Sequence, residues 1–267
     1  MKSVNCCIVA LFLCCCNGSV NDAEELIVDY QIFAETETLN STRSYVDGNG
    51  HFSWTEDDLI GVCGYKNSNN RFHYTGDPVS GNVFSGLFDS SKDNIRFGYY
   101  PFENDALIET DKLHLSIMEE SVFQDNINYA PMIGFVVNGN KMLFRQTGGL
   151  LHLSFEGFSN KTTKVVVEST GSSRHYLSGD AVVDIDPATA TSYTISSGSY
   201  KRVFDISFLD KNSSVYNLFV PLQVGTYSMI EVSIIDDKGD AVLSKSLSDV
   251  VIERAKLIET PLLDCAL

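Results

Sequence analysis

Gly149-Leu150-Leu151-His152-Leu153-Ser154-Phe155-Glu156 alternates, from Leu151 onward, between large apolar and polar side chains. A strand turns successive side chains to opposite faces, so Leu151, Leu153 and Phe155 share one face and His152, Ser154 and Glu156 the other. The stretch predicts a strand with one buried and one wet face, the pattern of an antiparallel sheet packed on a core.

The same period runs outward in both directions. Towards the N-terminus, Leu26, Val28, Tyr30 and Ile32 alternate with Ile27, Asp29, Gln31 and Phe33. Ile95, Phe97 and Tyr99 alternate with Arg96, Gly98 and Tyr100. Further strands are predicted over 59–65, 71–75, 83–88, 113–118, 132–137 and 141–144. Towards the C-terminus they are predicted over 164–168, 181–185, 201–208, 215–221, 226–235, 241–245 and 250–258. Turn residues separate them: Asp47-Gly48-Asn49-Gly50, Gly76-Asp77-Pro78, Asn138-Gly139-Asn140 and the acidic stretch from Asp236 to Asp240. Asn138-Gly139 and Lys238-Gly239, each between two strands, predict tight hairpins. No helical period outlasts two turns. The expected fold is all-β, and about sixteen short strands exceed one sandwich, so two tandem antiparallel β-sandwich domains are expected. Their boundary is placed at 138–141, giving 16–140 and 141–267, packed directly together because no Pro- or Gly-rich linker separates them.

Residues 1–15 read as a signal peptide. Lys2 supplies a positive n-region, residues 8–13 an apolar h-region too short to span a bilayer, and polar residues begin at Asn17. Leu13-Cys14-Cys15-Cys16 fits a bacterial lipobox, with Leu13 three residues before an acceptor Cys16 and the small Cys15 at the cut. Cys14 and Cys15 are poorer acceptors, because Phe12 or Leu13 would fall near the cleavage position. An ordinary signal peptide cleaved near Gly18 or Val20 is the alternative. Acylation at Cys16 would supply a membrane affinity that the rest of the chain lacks.

Of seven cysteines, only Cys16, Cys63 and Cys265 survive removal of that leader. A disulfide-stapled fold needs more. Cys63, within Ile60-Gly61-Val62-Cys63-Gly64, reads as a small buried hydrophobe, and a bridge to Cys265 is possible but not favoured by anything in the sequence. The formal charge of −16 becomes −17 once Lys2 is lost, which argues against nucleic acid and against an electrostatic grip on anionic lipid. About 250 residues suffice for real hydrophobic cores.

The search for chemistry returns little. His51, His73, His114, His152 and His175 lack metal-ligand spacing. Ser172, Ser173 and His175 lie close in sequence without a nucleophile elbow, and a β-turn explains them. Glu56-Asp57-Asp58, Asp184 with Asp186, and the 236–240 turn are carboxylate-rich but match no full calcium loop. Phe97-Gly98-Tyr99-Tyr100-Pro101-Phe102 reads either as a sugar-stacking platform or as core and domain seam, the latter preferred. No catalytic residue, metal site or cofactor is expected. A surface glycan-binding lipoprotein is the second reading, and a glycoside hydrolase using two turn carboxylates is the third.

Several segments, in order, resemble the fimbrillin-like lipoproteins, subunits and relatives of type V pili. They are Thr42-Arg43, then Trp54-Thr55-Glu56-Asp57-Asp58-Leu59-Ile60-Gly61-Val62, in which Asp57 stands where the family usually has Gly. Ile95 to Phe102, Gln124 with Tyr129-Ala130-Pro131-Met132, and Leu143-Phe144 followed by Gly149 to Phe155 continue the series. Pro221 with Gly225-Thr226-Tyr227, and Val251-Ile252-Glu253-Arg254, complete it. The resemblance implies two transthyretin-like domains and a palmitate-bearing lipoprotein displayed on the outer membrane as part of a fimbrium. It also implies partners: other fimbrial subunits joined by donor-strand pairing, and a host or glycan ligand for adhesion. In the family an Arg-specific protease can cut the N-terminal segment. Carried over, the cut follows Arg43 and releases the strand at 26–33, leaving a groove for a neighbour's strand.

Overall fold

The computed structural model describes residues 29–37, 54–76, 81–123, 131–188, 192–213 and 215–266. Cys16 and Arg43 lie outside the described residues, as do residues 26–28 of the first expected strand. Every regular element described is a strand. The first ten are β1 (Asp29–Thr36), β2 (Leu59–Gly64), β3 (Asn69–Tyr74), β4 (Val83–Leu87), β5 (Ile95–Tyr100), β6 (Leu107–Ile108), β7 (Lys112–Ile117), β8 (Glu120–Val122), β9 (Met132–Asn138) and β10 (Lys141–Gln146). The rest are β11 (Gly149–Glu156), β12 (Thr162–Thr170), β13 (Ser178–Asp184), β14 (Tyr193–Ser199), β15 (Lys201–Asp205), β16 (Tyr216–Leu222), β17 (Gly225–Asp236), β18 (Ala241–Ile252), β19 (Leu257–Glu259) and β20 (Leu263–Asp264). No helix of the described residues is long and apolar enough to cross a membrane.

The chain is all-β, with sheets packed face to face. One sheet closes on itself in the order β1-β10-β9-β5-β2-β3-β4 and returns to β1. Its interior holds Ile32, Ala34, Ile60, Val62, Phe72, Phe84, Tyr100, Met142 and Phe144, with Trp54 packed against them. Trp54 meets Phe84, Tyr100 and Phe144 edge-on, at centroid distances of 4.9, 5.2 and 5.5 Å. That geometry sets ring edges against the electron-rich faces and adds to what burial alone contributes. Glycine makes the space: a Cβ at Gly134 would stand 2.8 Å from the Phe144 ring. Closure leaves this sheet no free edge.

Part of the outer face of the same sheet, on β2, β5 and β9, is also buried. Cys63, Phe97, Tyr99, Ile133 and Phe135 pack against Leu113, Leu115, Ala181, Val183, Tyr193 and Ile195 of a second sheet, ordered β14-β13-β7-β6. Strand β5 therefore serves two cores, Tyr100 inward and Phe97 and Tyr99 outward. A strand buried on both faces reads as a nearly continuous apolar run. The third and fourth sheets, β16-β11-β19 with β20 and β18-β17-β12-β15-β8, enclose a core that includes Leu151, Leu153, Phe155, Val165, Val167, Leu218, Val220, Tyr227, Ile230 and Val232. Leu151, Leu153 and Phe155 are fully buried, while His152, Ser154 and Glu156 are half-buried on the other face. His152 stacks on Phe219 at 4.3 Å and bonds Asn217 Oδ1 at 3.0 Å.

Sheet pairing does not break at 138–141. The Asn138-Gly139-Asn140 hairpin forms as expected, with Gly139 at φ 58°, but it joins β9 to β10 within the closed sheet. Strand β7 pairs with β13 and β8 with β15, so residues 107–122, with β6 paired to β7, are bonded into sheets otherwise built from the C-terminal half. Cys63 and Cys265 are unpaired thiols buried in different cores, which removes the bridge between them.

Candidate functional site

Strand β1 occupies a slot with a partner on each side. It runs antiparallel to β4, with Ile32 opposite Phe84, and parallel to β10, with Phe33 opposite Lys141. Ile32 and Ala34 point into the closed sheet and are essentially fully buried; Tyr30 packs partly against the same core. Gln31 and Glu35 on the other face are exposed. The strand thus contributes one row of the core and completes backbone hydrogen bonding on two neighbours. Without it, the strand edges of β4 and β10 would flank an apolar groove lined by Phe84, Met142 and Phe144.

Both ends are held by specific bonds. The Phe33 N–H donates to Asn140 O at 2.9 Å and the Ala34 N–H to Asn82 O at 2.8 Å. Asn140 Nδ2 donates to Gln31 O at 2.9 Å, so the residue after Gly139 in the β9–β10 hairpin also reads the strand beside it. Glu35 pairs with Lys141 at 2.6 Å, but both side chains are exposed and such pairs contribute little. Past the strand, the Glu37 N–H donates to Phe144 O at 2.8 Å. The Glu37 carboxylate accepts the Gln146 N–H at 2.6 Å and pairs with Arg254, whose Nη1 also donates to Gln146 O at 3.0 Å. These two side chains are only 19% and 27% exposed. Glu37 and Arg254 therefore clasp the end of β10 between the first strand and the segment after β18. Beside this slot lies a cavity of about 280 Å³ reached by Phe33, Glu35, Asn82 and Lys141.

The other candidates resolve into structure. Tyr100 Oη donates to Asp58 Oδ1 at 2.7 Å, and Asp58 Oδ2 accepts the Thr55 N–H at 2.7 Å, so the most buried carboxylate of the 56–58 cluster closes a turn under the barrel core. Glu56 and Asp57 are exposed. Asp236 accepts the N–H groups of Lys238 and Asp240, each at 2.9 Å, and these backbone bonds hold its carboxyl below the usual range. Ser173 and His175 both bond Thr226 O, at 3.2 Å each, and do not address one another. Among the described residues no group of three or more His, Cys, Asp or Glu is placed to hold a metal ion.

The aromatic run takes the preferred of its two readings, core rather than sugar platform. Phe97, Tyr99 and Tyr100 are at most 1% exposed and are divided between two protein cores, which leaves no sugar platform on these rings. Tyr99 Oη is spent on Asn69 Oδ1 and Glu103 O, each at 2.9 Å.

No family model matches the sequence, and no curated protein matches it. Among solved structures, a candidate cell adhesion protein from Bacteroides ovatus is similar at TM-score 0.55 and 12% identity, over 86% of this chain and 91% of that one. That likeness is one of fold. A fimbrial protein from the same organism is similar at TM-score 0.39 and 14% identity, over 88% of this chain and 49% of that one, so this chain spans about half its length. A candidate cell adhesion protein from Bacteroides fragilis, at TM-score 0.35 and 8% identity, covers 86% of this chain and 91% of its own. The last two are too distant to carry an argument.

Proposed function

We propose that this chain is a fimbrillin-like surface subunit, adhesive or structural rather than enzymatic, that assembles by exchange of its first strand. The observation that carries the reading is the place of β1: bonded on both sides, with Ile32 and Ala34 in the core, in a slot whose groove a neighbour's strand of similar pattern would fill. The fold shared with a candidate cell adhesion protein supports the same reading. In this account Cys16 carries lipid and holds the protein at the outer membrane. Cleavage after Arg43 leaves β1 held by noncovalent pairing alone, so that its departure becomes reversible. Adhesion and assembly need only surfaces and strand pairing, so no cofactor enters.

Mass spectrometry of the protein recovered from intact cells tests it. The account expects a lipid-bearing N-terminus at Cys16 before assembly and an N-terminus at residue 44 in filaments, with Cys16→Ala releasing the protein from membranes. A Cys16→Ala protein that still sediments with the outer membrane, beside wild type carrying no lipid mass, would remove the anchor. Filaments whose subunits all begin at Cys16, in cells with active Arg-specific protease, would remove the cleavage step.

A further inference from the structure

Between the closed sheet and the C-terminal sheets lies a cavity of about 250 Å³, lined mainly by apolar side chains such as Leu115, Ile117, Met118 and Pro221, together with Glu103 and Arg202. Glu103 is accounted for. Its two carboxylate oxygens lie 2.9 and 3.2 Å from the Ser116 N–H that donates to them, and burial pulls its pKa upward.

Arg202 is not accounted for. It lies on β15 and is 9% exposed, and its Nε and Nη1 are buried without a hydrogen-bond partner. Its guanidinium carbon stands 5.1 Å from the Phe204 ring centre, and a ring face replaces only part of the hydration a cation gives up. Burial pushes its pKa down, with Tyr193 the one nearby group acting the other way. A buried guanidinium whose Nε and Nη1 find no acceptor is costly, and orphaned donors of this kind call for one.

We propose that this cavity binds a small carboxylate carrying an apolar chain, with its charged end on Arg202 and its chain against Leu115, Ile117 and Met118. A monoanion meets the guanidinium with the least added charge in a cavity that already holds the Glu103 carboxyl, whereas a dianion would leave more unbalanced charge there. Size sets the other limit. The cavity falls below the ~300 Å³ at which drug-sized pockets begin and holds about eight water volumes of ~30 Å³, which suits a short chain. Nothing in this site depends on strand exchange, so the two readings fail independently.

Hexanoate and hexanol are the probes, titrated into the full chain by calorimetry. Hexanoate should bind at one saturable site roughly tenfold or more tighter than hexanol, the scale of a charged hydrogen bond. Arg202→Gln should bring hexanoate down to the level of hexanol and leave hexanol unchanged, and Arg202→Lys should restore part of the difference. Equal binding of the two probes by wild type overturns the proposal without any variant. So does undiminished hexanoate binding by a folded Arg202→Gln protein. A failure of hexanoate to saturate, with ordered water alone against Nε in a crystal soaked with it, overturns it as well.

Discussion

Tyr100 and Asp58 are forty-two positions apart in sequence and bonded at 2.7 Å, and each belongs to a motif that carries the family resemblance. The bond explains why an acidic residue follows Trp54 at this spacing: it closes the turn at Thr55 and receives a phenol from the opposite strand. Tyr100→Phe keeps the ring contacts and removes only that donor, so it should cost about 1–3 kcal/mol in urea unfolding. Leu153→Ala, in the fully buried row on β11, should cost about 2–5 kcal/mol because the cavity it leaves cannot collapse between two sheets. A third expectation concerns pH. Burial raises the thiol of Cys265 to about 11 and pushes Cys63, Tyr99, Tyr193 and Tyr227 higher, against ordinary values of 9.0 for thiols and 10.0 for phenols. Between the ordinary and the raised values the unfolded chain releases protons that the fold keeps. Stability is therefore full below about pH 9 and falls as pH rises through that window. Urea midpoints should decline steadily above pH 9, and a flat profile there would show that these groups ionise without unfolding. Both thiols should also resist alkylation in native protein and react on denaturation.

Elements were legible where one face was apolar and the other polar. The strand at Gly149–Glu156 and the hairpins at Gly139 and Gly239 form where alternation and turn chemistry place them. Strand β14 is the clearest miss, because Tyr193-Thr194-Ile195-Ser196-Ser197-Gly198-Ser199 offers only two core side chains among residues typical of turns. Strand β18 reads as two short strands separated by Ser and Asp. It is one twelve-residue edge strand, bonded to β17 along its length but largely exposed, so burial leaves little mark on its sequence. The β1 slot was half legible. Its strand pattern can be read locally, but Glu37 and Arg254 are 217 positions apart, and no local period connects them. Ile32→Ala should cost about 2–5 kcal/mol through lost burial. Glu37→Gln and Arg254→Gln should each destabilise the chain, and the double variant should cost less than their sum, since each single change strands the other group. Additive losses in that cycle would mean the clasp contributes nothing as a unit.

At the scale of the whole molecule, composition and period sufficed for an all-β chain, while the order of strands within its sheets is a matter of pairing between distant segments. An expected boundary at 138–141 rests on where turns fall, whereas pairing is decided by long-range contacts. Residues 107–122 illustrate it, since β6, β7 and β8 precede that boundary yet join sheets with β13 and β15. One consequence is that the two halves are bonded together and should unfold in one transition rather than two. The closed sheet has the opposite character, because its ring depends on a strand at the start of the described chain. That strand is the centre of the functional account, and its exchange can be measured directly. Purified protein cut after Arg43 is mixed with a labelled peptide of residues 29–37, with uncut protein as the control. The account predicts that cut protein takes up one peptide per chain and releases its own β1, while uncut protein takes up none. Cut protein that retains its first strand and binds no peptide would contradict it.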